Sequence, residues 1–431
     1  MKWVSTRRAS PAVPFIDALF AGTAPDGGLY FPERFDPLPA ATVGALQSAG
    51  LTDVGTVVGT HLLGGDISER DMGRLVRDAL DFPIPLVQVA DRVWALELFH
   101  GPTLAFKDVG ARVQARLLHH FTDGTPLTIL VATSGDTGSA VAQAFHGVPD
   151  SHVFVLYPEG HVTDVQEAQM ASLGGNVTAV AVRGTFDDCQ RLVKDAFADD
   201  ELRKKVWLTP ANSINLGRLL PQVFYYFLPA QLRAAGRGDA DLIVSVPSGN
   251  FGNLTAGLIA KRIGLPAKRF IAATNVNDVV PEYLRSGIYS PRASVRTVAN
   301  AMDVGAPSNF ERIRALYDDD IDRMRQDLVG AAFEDAIVVA EIGRVYREHG
   351  YLLDPHGAIA WLALQEQLAA SPRAIGVFLA TAHPAKFREV VEPSIGKTVP
   401  LPATLAEALA RPRDSARLDV KYSALVDLVL S

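Results

Sequence analysis

The chain has 431 residues, of which 48% are hydrophobic and 21% charged. That is the make-up of a folded protein too long for one ordinary core, so two domains with appended segments are expected. A formal net charge of −7 argues against a sequence-independent nucleic-acid binder, which needs a basic face, and no apolar run reaches the roughly 20 residues of a membrane-spanning helix.

Residues 1–90 are rich in turns, with sharp loops at 24–28 and 31–33, and are read as an N-terminal segment packed on the core. A strand at 93–96 leads to a helix over 107–120 that carries Val109, Val113, Leu117 and Phe121 on one stripe. Continuous apolar runs at 127–132, 152–157 and 177–182 read as strands buried on both faces. Helices at 163–173 and 186–197 follow the second and third of these. A long helix is predicted over 214–233, then a strand at 242–246, a helix at 254–263 and a strand at 269–273. Residues 279–325 look irregular and polar, an insertion over the sheet. Helices at 335–347 and 357–368 precede a last strand at 374–380. This alternation predicts an α/β protein with parallel sheets and right-handed crossovers. The expected units are a large domain of 91–126 and 211–400, with its insertion within 279–330, a small α/β domain of 127–210, and a tail of 401–431.

The lone cysteine, Cys189, has no neighbouring base and excludes an internal disulfide and a cysteine-based zinc cluster; no metal site is expected. Residues 1–8 lack the apolar core and cleavage site of a signal peptide, so the expected compartment is the cytoplasm.

Lys107 follows Glu97-Leu98-Phe99-His100-Gly101-Pro102-Thr103-Leu104-Ala105-Phe106 and precedes Asp108. An amine held in so apolar a setting loses its charge more readily and becomes a nucleophile able to form a Schiff base. The alternative is a lysine whose stem packs on Phe106 while its ammonium reaches water. Two further segments echo each other. Strand 127–132 runs into Thr133-Ser134-Gly135-Asp136-Thr137-Gly138, and strand 242–246 into Pro247-Ser248-Gly249-Asn250-Phe251-Gly252-Asn253, each before a helix. Glycine-rich turns at this position bind anions through first-turn amides, or are simply capped turns. Neither is a G-x-G-x-x-G run and no P-loop occurs, which weakens a nucleotide-binding reading.

Taken together, the Lys107 segment and the two loops closely resemble threonine synthases of the microbial and fungal type, and the resemblance runs from Asp26-Gly27-Gly28 to Thr381-Ala382-His383-Pro384. It implies a fold type II, tryptophan synthase β-like enzyme: two α/β domains with pyridoxal 5'-phosphate in the cleft between them. The implied reaction converts O-phospho-L-homoserine and water to L-threonine and phosphate, by γ-elimination and β-addition of water. By the same resemblance Lys107 is the Schiff-base lysine, and Gly249, Asn250, Phe251, Gly252 and Asn253 wrap the cofactor phosphate. Thr381 meets the pyridine nitrogen, and Thr133, Ser134, Gly135, Asp136 and Thr137 hold the substrate carboxylate. Candidates for the substrate phosphate are Thr103, Asn212, Ser213, Arg218 and Lys386; Ser213 also suits an N-cap. Asp136 stands where relatives of the fold often have asparagine, and is expected to face helix amides or to be protonated. The expected assembly is a monomer or homodimer. The nearest rival is a lyase or dehydratase of the same fold giving a 2-oxo acid; a catalytically silent homologue that binds a metabolite and a nucleotide-binding module are the others.

Overall fold

The computed structural model describes residues 1–133, 135–232 and 240–431. Two sheets organise it. The larger has six strands in the order Leu328–Ala332, Ala267–Thr274, Leu242–Pro247, Ile375–Ala380, Val93–Glu97 and Leu86–Ala90. All its pairings are parallel except the last, where Leu86–Ala90 runs antiparallel at the edge. The smaller sheet is wholly parallel, in the order Ala416–Leu418, Val177–Val182, Ser151–Pro158, Leu127–Ala132 and Leu208–Thr209. Central strands of both sheets are buried almost throughout, as strands covered by crossover helices must be. No helix among the described residues is long and apolar enough to cross a membrane.

Several segments depart from the expectations. The first ninety residues hold the helices Leu51–Leu63 and Glu69–Ala79 as well as the edge strand of the large sheet. Gly55 lets those helices close up, since a Cβ there would lie 2.8 Å from Val76 and 3.0 Å from Phe224. The expected long helix over 214–233 is instead the short helices Leu216–Leu219 and Gln222–Tyr225, followed by a 3-10 turn Leu228–Ala230; its last residue lies outside the described residues. Pro221 and Pro229 are the physical reason, because neither can donate to the preceding turn. Residues 279–325 contain the helices Val279–Ser286 and Phe310–Leu316, and the strand after them pairs with Ala267–Thr274. The closing residues extend the small sheet through Ala416–Leu418, and Leu425 and Val429 bury themselves with Cys189 and Leu192.

The C-terminal ends of these parallel strands bring the candidate residues together. Thr381 to Phe387 leave the large sheet beside the segment that precedes Lys107. Leu98 N–H donates to the Ala380 carbonyl, Phe106 N–H to that of Thr381, and His383 N–H to that of Leu104. The loop after Leu127–Ala132 comes from the other sheet to meet them.

Candidate active site

Lys107 is the first residue of the helix Lys107–Thr122. The turn before it is held in an unfavourable conformation. Leu104 has φ of 58°, and with Phe251 it is one of two apolar residues in the left-handed region among the described residues. For a bulky side chain that costs energy and persists only where surrounding contacts impose it. Here the hydrogen bonds of Phe106 and His383 at the strand ends impose it. Asp108 locks the same turn from inside: its Oδ2 accepts from Thr103 N–H at 2.9 Å and its Oδ1 from the Thr103 hydroxyl at 2.6 Å. Burial pushes the Asp108 carboxyl up to about 6, against the pull of those bonds. Thr103, expected as a phosphate donor, thus has its hydroxyl committed to Asp108.

The Lys107 side chain is 15% exposed, with Nζ 4.7 Å from the centroid of the Phe106 ring. Burial lowers its pKa; Asp136 works against the shift, while Lys386 and Arg218 add to it. Asp136 begins the helix Asp136–Phe145 on the small sheet. Its Oδ2 lies 4.0 Å from Lys107 Nζ, and its Oδ1 is 2.8 Å from Lys386 Nζ and accepts from Gln166 Nε2 at 3.1 Å. Burial would raise this carboxyl, but Lys386 and Lys107 outweigh it and hold the group well below the usual carboxylate range. The expectation of a protonated Asp136 or one facing helix amides is therefore corrected: the carboxylate pairs with Lys386 and lies near Lys107, and both amines favour its ionised form. Lys386, expected as a phosphate donor, is buried and also donates to the Thr103 carbonyl at 3.0 Å.

The rest of that first loop is partly self-satisfied. Thr133 Oγ1 accepts from Gly135 N–H at 2.9 Å and Gly138 N–H at 2.8 Å, so those two amides are already used. Gly135 has φ of 147° with the Gln166 amide packed against it, and Thr137 is half-buried on the first helical turn. Ser134 lies outside the described residues.

In the second loop Phe251, with φ of 62°, precedes the helix Gly252–Arg262, and no side chain caps that helix. Its first-turn amides point toward the loop, a ready anion site. Asn253 is anchored from behind: the Tyr225 and Tyr226 hydroxyls each lie 2.6 Å from its Oδ1, while its Nδ2 is buried without a partner. Asn250, exposed, takes Ser308 Oγ at 3.2 Å. Gly249 is needed for packing, since a Cβ there would sit 2.5 Å from the Ala301 carbonyl oxygen and 3.0 Å from Met302 Cα.

Residues 211–218 bridge the two regions. A Cβ on Gly252 would approach Ser213 Cβ to 3.9 Å, and the Ser213 carbonyl accepts from Asn309 Nδ2. Asn215, not Ser213, caps the helix Leu216–Leu219, through Gly217 N–H at 2.8 Å. Asn212 Oδ1 is buried without a partner. At the other end Arg218 packs on Gly110, one turn along the lysine helix, and is only 3% exposed. One Arg218 nitrogen reaches the Ala211 carbonyl at 2.7 Å, but Nε is buried and unpartnered. Burial lowers its guanidinium to about 10.

The histidines fall outside this cluster of charges. His100 Nε2 sits 2.7 Å from Glu97 Oε2, and His383 Nδ1 accepts from Ala385 N–H at 3.0 Å. Sequence reasoning misses Gln166 and Gln169, although the Thr163-x-x-Gln166 capping box is a visible signal. Gln166 uses Oε1 for that box and Nε2 for Asp136, and Gln169 Nε2 donates to the Thr103 carbonyl at 3.3 Å.

These residues suit pyridoxal phosphate. A buried amine of lowered basicity can hold an aldehyde, and an uncapped helix start beside the unpartnered Asn253 amide can hold a phosphate. Comparison with known proteins agrees. Residues 82–381 match the pyridoxal-phosphate dependent enzyme family, residues 2–80 the threonine synthase N terminus and residues 357–429 the threonine synthase C-terminal family. The threonine synthase of Escherichia coli K12 is 44% identical over 432 residues, covering 100% of both chains, and that of Haemophilus influenzae 44% identical over 99% of this chain and 98% of its own. The crystal structure of the E. coli threonine synthase superposes with a TM-score of 0.92 over 100% of this chain and 99% of its own. The pyridoxal-phosphate-bound threonine synthase of Brucella melitensis gives 0.93 at 39% identity, with the same coverage. The chain belongs to the threonine synthase family of pyridoxal-phosphate-dependent enzymes.

Proposed function

We propose that the chain converts O-phospho-L-homoserine and water to L-threonine and inorganic phosphate, with Lys107 as the residue that carries the cofactor and moves the Cα proton. The observation that carries this reading is the largely buried Lys107 amine, 4.0 Å from Asp136 where the ends of the two sheets meet, with burial lowering its basicity. Bound pyridoxal phosphate supplies a conjugated ring that accepts the negative charge left at carbon. The chain's own groups do the rest. The loop of Gly249, Asn250, Phe251, Gly252 and Asn253 holds the cofactor phosphate with backbone amides and the free Asn253 amide. Thr381, fixed through its carbonyl to Phe106 N–H, presents a hydroxyl to the ring nitrogen. A hydroxyl there does not force that nitrogen to be protonated, as a carboxylate would.

Arg218 is the strongest grip for the substrate phosphate, because its guanidinium is buried near the lysine with a nitrogen to spare. Asn212 and Ser213 lie on the same segment. The first-turn amides after Gly135, with Thr137, take the substrate carboxylate, and the Asp136 charge there is offset by Lys386.

The test is a Lys107→Ala variant assayed for threonine and released phosphate together. Cofactor should bind without becoming fixed by borohydride, and turnover should fall by orders of magnitude. Near-normal activity in that variant, or a 2-oxo acid in place of threonine from the parent enzyme, would refute the proposal.

A further inference from the structure

We infer that Lys386 is a positioning residue: it takes the Asp136 carboxylate as its own counter-ion and so leaves the neighbouring Lys107 amine free to be neutral. This rests on the reading that Lys107 carries the cofactor, and it concerns how that amine is kept ready.

Two amines share one carboxylate, and unequally. Lys386 Nζ lies 2.8 Å from Asp136 Oδ1, within hydrogen-bond distance, whereas Lys107 Nζ is 4.0 Å from Oδ2, beyond it. Lys386 is further held by the Thr103 carbonyl at 3.0 Å, and its side chain is 2% exposed. Gln166 occupies the same Oδ1 with a neutral amide. The groups facing Lys107 come from four elements: Asp108 on its own helix, Asp136 on the helix Asp136–Phe145, Arg218 on Leu216–Leu219, and Lys386 on the turn Pro384–Phe387. Asp108 has both oxygens turned to Thr103, and Arg218 is a second cation. Asp136 is therefore the carboxylate that most favours a charged Lys107 against the effect of burial, and Lys386 has first claim on it. Without Lys386 the whole of that charge, in a site of low dielectric, would fall on Lys107 and favour its protonated form.

The probe is pyridoxal phosphate itself. Full-length chain stripped of cofactor is mixed with it across a pH series, fixed with borohydride, and the initial rate of capture at Lys107 is read by intact mass and peptide mapping. Lys386→Met should move the midpoint of the capture profile upward by about one pH unit or more, which is about tenfold slower capture below the midpoint. Lys386→Arg should stay near the parent, and Lys386→Met combined with Asp136→Asn should return toward it. Gln166→Glu keeps the capping box but adds a second carboxylate, and should also move the midpoint upward. A parental midpoint in Lys386→Met overturns the inference; if that variant does not fold, a parental midpoint in Gln166→Glu does so. Capture persisting in Lys107→Ala would instead refute the underlying assignment of the lysine.

Discussion

Asp108→Asn probes the buried carboxyl that locks the turn before Lys107. The group is fully buried, and its pKa is held at about 6 against an ordinary 3.8. At 1.36 kcal/mol per unit, keeping it ionised in the folded protein at neutral pH costs about 3 kcal/mol. Because the folded pKa is raised, the stabilisation that Asp108 offers is fully present below 3.8 and is lost as pH climbs through about 6. Asparagine has nearly the same shape. Its carbonyl can take Thr103 N–H and its amide can donate to the Thr103 hydroxyl, so both bonds survive in altered polarity. The variant should therefore be more stable than the parent by about 3 kcal/mol at neutral pH, and the difference should shrink to nothing at acid pH. Urea unfolding of parent and variant at a series of pH values measures it, since the subtraction cancels every other carboxylate. A variant less stable at neutral pH, or a difference that ignores pH, would refute the reasoning. Removing this negative charge also removes a group that favours charged Lys107, so the lysine should become still less basic.

Two further predictions concern packing and reactivity. Gly249→Ala would place a methyl 2.5 Å from the Ala301 carbonyl oxygen, so the backbone at 301–302 has to retreat. Cofactor retention on dialysis should fall and stability drop by about 1–3 kcal/mol; retention equal to the parent's would show that the loop tolerates the shift. Cys189 is wholly buried, and burial with nearby Asp188 pushes its thiol up to about 12. Iodoacetamide should leave it unlabelled in native protein and label it in urea; rapid native labelling would contradict the packing.

The elements most legible in the sequence are those whose signal is local. Val177–Val182 and Leu127–Ala132 are continuous apolar strands, and their bounds match the expectation to the residue. The stretch at 214–233 is the opposite case. It is apolar at helical spacing, and that periodicity masks the prolines at 221 and 229, which break the helix. The strand Leu328–Ala332 is hard to recognise because four of its five residues are not buried, as befits the edge of a sheet. The tail is unreadable for a different reason: Ala416–Leu418 is three residues long and exists as a strand only because Val177–Val182 offers a free edge.

What the sequence determined alone is the lysine and its setting. An apolar tripeptide, a Gly-Pro turn and a following helix are local features, and they place Lys107 on the first turn of that helix, next to Phe106. What only the tertiary structure decided is the charge balance around it. Asp136, Lys386, Gln166 and Arg218 come from separate elements, and they act on one another only when the ends of the two sheets are brought together. Electrostatic interactions in a buried site depend on distances of a few ångströms, and such distances are a property of the folded arrangement, which no stretch of sequence spells out.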